Sequence, residues 1–212
     1  MATVDFEDAI ATLRQVAIAY DTKKLSTRPD PAAIVESMTT LERGRRGERR
    51  ELSLDDVLGD WRLIFVTGTQ KTRKKAGTMI GAGRYLPGLV NITISYRADD
   101  TVNAGENTAK DAEQNTGRVV NQVKLGGLTF TVTGPIEAIA GRQTLAFDFT
   151  QWCVGLGSWM PFNGELGNGA DGDVTFTERS LKDRPFFNYF WTDERAIAAR
   201  GKGGGLALWI RT

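Results

Sequence analysis

The chain of 212 residues closes on "ARGKGGGLALWIRT", residues 199–212, where three consecutive glycines follow Lys202. Glycine beside lysine is the raw material of a phosphate loop, in which backbone amides cradle the phosphate and the lysine reaches it. The spacing matches neither familiar version. A Walker loop needs Gly, four residues, then Gly-Lys-Ser/Thr, whereas Lys202 precedes the glycine run and Leu206 follows it. A dinucleotide loop needs glycines at its first, third and sixth places, and Gly201 and Gly203 lead to Leu206. The flanks alternate as strands, so Gly201–Gly205 is expected to turn a β-hairpin.

Other chemistry is constrained by composition. The chain has no histidine, which removes the commonest general base, the Ser/His and Cys/His nucleophile pairs and most imidazole-built metal sites. Its one cysteine, Cys153, allows no intramolecular disulfide framework and no thiolate cluster, and points to a reducing compartment. Only carboxylate-driven catalysis stays open. Asp171-Gly-Asp173 invites calcium, but the spacing does not complete an EF-hand loop, and "FNGELGNGADGD" (162–173) reads as a flexible turn. No catalytic residue, no metal ligand and no enzyme activity are expected.

Charge is balanced, 27 Lys plus Arg against 26 Asp plus Glu, so no global field draws the protein to nucleic acid. Two basic loops stand out on this neutral chain: "RGRRGERR" (43–50), with Arg45, Arg46 and Arg49, and "TQKTRKKAG" (69–77), with Arg73 and Lys74. Each is either a solvated loop or a patch for anionic head groups or an acidic partner. "GLGSWMPF" (155–162), with "QWCVG" before it, sets Trp152, Trp159, Met160 and Phe162 in a glycine-rich segment, either a docking patch or a lid over a barrel. The acids and Arg14 in the first twenty residues interrupt any signal-like apolar run, and no stretch of about 18 uncharged apolar residues occurs. Work at a membrane would therefore be peripheral.

These residues are held by two kinds of element. Phe6, Ile10, Leu13, Val16, Ala17 and Tyr20 recur at helical spacing behind Asp5, Glu7 and Asp8, and Ile34, Met38 and Leu41 share a face behind Asp30-Pro31. "LSLDDVLGDW" (52–61) reads as one short helical turn. From Trp61 onward the period becomes that of strands: 61–68, 89–97, 118–125, 128–134, 143–152, 173–179, 186–193, 196–200 and 206–211, with no helix long enough for a crossover. Eight or nine such strands imply an antiparallel sheet, closed as a barrel or doubled as a sandwich. Leu128, Phe130 and Val132 face one way and Thr129, Thr131 and Thr133 the other; Leu145, Phe147 and Phe149 alternate likewise. Phe130, Val132, Phe147 and Phe149 are expected in the core. "LGGL" (125–128) marks a hairpin, and "TVNAGENTAKDAEQNTG" (101–117) an exposed loop.

Gly59-Asp60-Trp61 has the Gly-X-Trp pattern that opens lipocalin-like barrels. With the N-terminal helices, "LGDWRLIFVTG", "GRVVNQVKL" and "FWTDERAIAARGKGGGLALWIR", nearly the whole chain resembles the plastid lipid-associated protein family, the fibrillins of plastids and cyanobacteria. Trp61, Thr67, Val119, Asn121, Val123, Asp193, Glu194, Arg200 and Gly201 fit the family's pattern. Trp191, Arg195 and Ile197 depart from its Tyr, second Asp and first Arg.

The resemblance implies a mainly β fold: a lipocalin-like antiparallel β-barrel over 59–212, preceded by an N-terminal helical region over 1–58 that packs on it as part of one domain. It also implies non-enzymatic binding of a hydrophobic small molecule (a lipid, quinone or carotenoid) at photosynthetic membranes. The place would be the cytoplasmic face of a cyanobacterial thylakoid or the plastid stroma. The alternative is a scaffold or assembly subunit docking on a photosynthetic membrane complex, with a filled barrel. Asp193 and Arg200 are candidate ligand contacts, or else a rim ion pair fixing the last hairpin. Trp61, Phe130 and Phe147 are further candidates, with Trp61 either a plug or a ligand contact, stacked by Arg211 or Arg200. Arg45, Arg46, Arg49, Arg73, Lys74, Trp159 and Met160 are the docking candidates.

Overall fold

The structure is a computed structural model that describes residues 5–45, 51–68, 83–98, 115–157, 159–167 and 175–212. Arg46, Arg49, Arg73, Lys74, Asp171 and Asp173, with most of the 101–117 segment, lie outside these residues. Among the described residues two α-helices and eleven strands follow in order: α1 (Phe6–Asp21), α2 (Pro31–Gly44), β1 (Gly59–Val66), β2 (Arg84–Tyr85), β3 (Val90–Ala98), β4 (Thr116–Leu125), β5 (Leu128–Ala138), β6 (Thr144–Phe147), β7 (Gln151–Leu156), β8 (Trp159–Glu165), β9 (Phe186–Thr192), β10 (Ala196–Gly201) and β11 (Leu206–Arg211).

The fold is mainly β. Strands β4-β3-β1-β11-β10-β9-β6-β5 pair in that order, and β4 pairs again with β5, so eight strands close an antiparallel β-barrel. β5 is long enough to serve two partners: Ile136–Ala138 pairs with β6, and Leu128–Thr133 pairs with β7, which carries β8 outside the ring. Both glycine turns form. Leu125 and Leu128 flank a two-residue turn with Gly126 at φ 58°, and Gly201–Gly205 joins β10 to β11 with Gly204 at φ 82°. Left-handed backbone at these positions is what glycine supplies cheaply.

Contacts divide the chain into two compact units that do not break at 58/59. One comprises residues 1–49, 63–86 and 188–211; the other comprises 50–62, 87–187 and 212.

In the first unit both helices begin where the sequence places a cap. The Asp5 side chain accepts from Phe6 N–H at the start of α1, and Asp30 Oδ1 accepts from Ala32 N–H at 2.8 Å ahead of Pro31. Their apolar faces, Leu13, Val16 and Ala17 with Ile34, Met38 and Leu41, join Ile64, Phe65, Trp191, Ala198 and Leu208 in one buried cluster. Burying side chains of this size stabilises by roughly 1.5–3 kcal/mol each before chain entropy is counted.

In the second unit a 3-10 turn over Leu54–Asp56 is closed by a capping box between Ser53 and Asp56. It delivers Trp61 wholly buried, with its indole N–H donating to the Val57 carbonyl at 2.7 Å.

Four local expectations are corrected. The 143–152 run is two strands, because Asp148–Thr150 break it between pairing with one end of β5 and the other. Phe149 therefore does not continue the alternation of Leu145 and Phe147. Residues 175–179 form turns leading to a 3-10 helix at Leu181–Asp183, and the expected strand is absent there; Arg179 pairs with Asp148, and Arg184 with Glu137. Phe162–Glu165, expected in a loop, belongs to β8. On β5 the expected core face is inverted at one end: Thr129 and Thr131 are 6% and 7% exposed, while Phe130 is 40% exposed.

Candidate functional site

Register places five strands of the second unit in line. Val90, Leu125, Leu128, Leu156 and Trp159 form one row across β3, β4, β5, β7 and β8. Two residues inward the row is Ile92, Val123, Phe130, Val154 and Phe162, and two further it is Ile94, Asn121, Val132, Trp152 and Gly164. Directly opposed residues in an antiparallel sheet share a face, as do residues two apart, so these three rows form one surface. Asn121 is its sole carboxamide, and no charged residue lies in it.

Cover falls steadily along this face. Ile136, Val119 and Tyr96 are 1%, 0% and 0% exposed, and Ile94 and Val132 stay buried in the next row. Beyond them Phe130 and Phe162 are exposed, and in the last row Leu125, Leu128, Leu156 and Trp159 are 55%, 49%, 62% and 68% exposed. Scattered single apolar residues on a surface are ordinary but a contiguous patch is not, so this surface is a candidate for binding. Among the described residues β8 pairs only with β7 and ends the strand order, and Pro161 on it lacks an N–H, which suits an edge.

The opposite face of the same strands is polar. Thr131, Thr133, Gln151, Cys153, Asn163 and Glu165 line a groove of about 390 Å³ there, with the free Cys153 thiol partly buried. Thr131 is bonded by Gln122. Among the described residues, no three His, Cys, Asp or Glu side chains gather as metal ligands.

The sequence candidates distribute unevenly over this geometry. Phe130 and Trp159 lie on the exposed apolar face together. Met160, also exposed, crosses to the other side, where a Cβ on Gly155 would strike its sulfur. Phe147 is buried on β6 and stacks on Phe187 with ring centroids 5.0 Å apart. Arg45 caps α2, its guanidinium 6.0 Å from the Phe6 ring centre, so one member of the expected basic patch is engaged with the helical pair. Asp193 and Arg200 do not pair with each other. Asp193 accepts from Arg14 of α1 at 2.7 Å and from the Arg195 backbone, whereas Arg200 holds Glu42 of α2 and the Gly204 carbonyl. The hydrogen bonds that Arg200 donates to Glu42 raise its pKa above the ordinary value, against the opposing effect of burial. Both residues serve as helix-to-strand ties, and the rim pair between them does not form. Arg211, the other proposed stacking partner of Trp61, donates to the Glu194 carbonyl at 2.6 Å.

Sequence reasoning grouped Trp152 and Phe162 with Trp159 as a docking patch or lid, and missed Val154, Leu156 and Asn121 as parts of the same surface. The signal was the same period-two alternation seen in "LTFTV", repeated in "VNITI", "VNQVKL" and "WCVGL". What joins these segments is their register.

No protein-family model matches the chain, and no curated protein matches it. Among solved structures it is similar to a redesigned β-barrel, at 9% identity and a TM-score of 0.32 over 76% of this chain and 95% of that one.

Proposed function

We propose that the protein binds a hydrophobic small molecule, a lipid, quinone or carotenoid, without transforming it, and does so at photosynthetic membranes. The observation that carries the binding is the apolar face of β3, β4, β5, β7 and β8, covered at Ile136 and Val119 and open at Leu128 and Trp159. Covering those open rows with an apolar ligand removes them from water, worth roughly 25 cal/mol per Å². The setting comes from the fibrillin resemblance. Among the described residues no helix is long and apolar enough to cross a membrane, in keeping with a peripheral role. The test is extraction of protein purified from its photosynthetic host into organic solvent, followed by mass spectrometry. A stoichiometric lipid, quinone or carotenoid is expected. An empty extract, with no binding of an apolar fluorescent probe by the purified protein, overturns the reading.

A second reading is a scaffold docking on a photosynthetic complex, favoured by the exposure of Trp159 and Phe162 on the edge strand β8. Aromatic residues on an open edge suit protein contacts. Co-purification of one stoichiometric complex in mild detergent, abolished by Trp159→Ser, is its expected result; an unchanged yield with that variant counts against it.

A further inference from the structure

Asn121 interrupts the apolar face at one particular depth. It stands opposite Val132 on β5 and Ile94 on β3, with Val119 and Val123 as its same-face neighbours on β4. Its Oδ1 is buried without a hydrogen-bond partner. A carbonyl oxygen stripped of water and given no donor is unfavourable, and native proteins leave few of them. The other buried oxygen of this kind on the sheet, Asn91 Oδ1, belongs to the opposite face, beside Lys124 and Thr129.

The position sits at the boundary of cover. Inward lie Val119 and Tyr96, both wholly buried; outward the face opens through Phe130 to Leu128 and Leu156. A donor can therefore reach Oδ1 from the outer rows, carried on a molecule whose remaining surface covers them. Two rows lie outward of Asn121, a length of about 14 Å at 3.4 Å per strand residue.

We infer that this site takes a neutral amphiphile bearing a hydrogen-bond donor, an alcohol or phenol hydroxyl, with the hydroxyl on Asn121 Oδ1 and the apolar body along the outer rows. The inference rests on the proposed apolar-ligand reading and adds the polar group and its orientation. An acceptor asks for a donor, so esters, ketones and ethers gain nothing from it. No carboxylate lies in the three rows, so a cationic head group would be buried there unpaired.

The test compares decan-1-ol, decyl methyl ether and decan-2-one as competitors of an apolar fluorescent probe on the full chain. The alcohol is expected to bind at least tenfold more tightly than the ether or the ketone. Asn121→Leu, close in shape, is expected to remove that advantage, bringing the alcohol and the ether within threefold of each other. If the three compete within threefold of one another on the wild-type protein, the hydroxyl inference falls and the apolar reading stands. If the ketone matches or exceeds the alcohol, Asn121 donates instead, and the inference again falls. If no competitor displaces the probe, the apolar-ligand reading falls and takes the inference with it. The wild-type comparison decides even if Asn121→Leu does not fold.

Discussion

Arg200 and Glu42, 158 residues apart, meet in a two-pronged ion pair, with Nε to Oε1 and Nη2 to Oε2 both at 2.6 Å. The pair ties α2 to β10 while a third arm of the guanidinium, Nη1, reaches the Gly204 carbonyl in the glycine turn. Planar, bidentate geometry is what arginine offers a carboxylate, and it joins the helical pair to the last hairpin.

Replacing one carboxylate oxygen by an amide, Glu42→Gln, leaves the shape but sets an N–H₂ against the fork. With side chains 16% and 29% exposed, the loss of unfolding free energy is expected at about 1–3 kcal/mol by urea denaturation. Arg200→Lys should lose a similar amount, since an ammonium cannot make both bonds. A change below about 0.5 kcal/mol in either variant would show the pair to be a solvated surface contact.

Tyr85 gives the molecule an alkaline weakness. Burial raises its phenol pKa from 10.0 to about 12, the nearby Arg28 pulling it down and Tyr20 and Asp30 pushing it up. Its hydroxyl donates to the Pro29 carbonyl at 2.8 Å, and Arg28 lies 4.4 Å from the ring centre. Because the folded state keeps this proton where the unfolded chain has lost it, the stabilisation is whole below the unfolded pKa and declines as pH rises through about 10 to 12. The wild-type minus Tyr85→Phe absorbance difference at tyrosinate wavelengths should titrate near 12. A midpoint near 10 would mean that the ring is solvated.

Ile136 and Leu156 lie on one continuous face, yet substitutions should act differently on them. Ile136, 1% exposed, should cost about 2–4 kcal/mol as Ile136→Ala because it leaves a cavity. Leu156, 62% exposed, should cost within about 0.5 kcal/mol as Leu156→Gln yet lower the binding of an apolar probe. Equal stability losses, or unchanged probe binding by Leu156→Gln, would show that the outer rows are not a binding surface.

Gly134 lies where β5 passes from one partner to the next. A Cβ there would strike the carbonyl oxygen of Asp148, a backbone atom that cannot swing aside. Gly134→Ala is expected to cost about 1–3 kcal/mol by overpacking. Gly126→Ala meets no neighbour but keeps φ at 58°, so about 1 kcal/mol is expected there. Thermal melts of both distinguish crowding from backbone strain; a neutral Gly134→Ala would mean that the strands can part at this point.

Much of this fold follows from neighbours along the chain. Asp5 and Asp30-Pro31 cap their helices through atoms one or two residues away, and the glycine pairs turn β4 into β5 and β10 into β11 by their own backbone freedom. Alternation in "LTFTV" assigns Phe130 and Thr131 to opposite faces, because successive side chains of any strand point in opposite directions. These are local consequences of covalent geometry, so the sequence carries them.

Cover is different, because it depends on what the rest of the chain brings near. Phe130 was expected to be buried for being apolar, yet on the same strand Ile136 is buried and Phe130 is open. A rim ion pair between Asp193 and Arg200 was one of two expected roles, yet each is taken by a helix from the other end of the chain, Arg14 of α1 and Glu42 of α2. The break at Asp148–Thr150 arises because β5 changes partners, a long-range event that leaves no mark in the 143–152 pattern. The candidate site shares this origin: Leu125 and Leu128 flanked a legible hairpin turn, Leu156 and Trp159 lay in a glycine-rich segment, and register set all four in one row. The sequence by itself determined most of the strands, the two glycine turns and the alternation of faces along each strand. The tertiary structure decided which part of the apolar face is covered, because burial is a property of neighbours that pairing supplies.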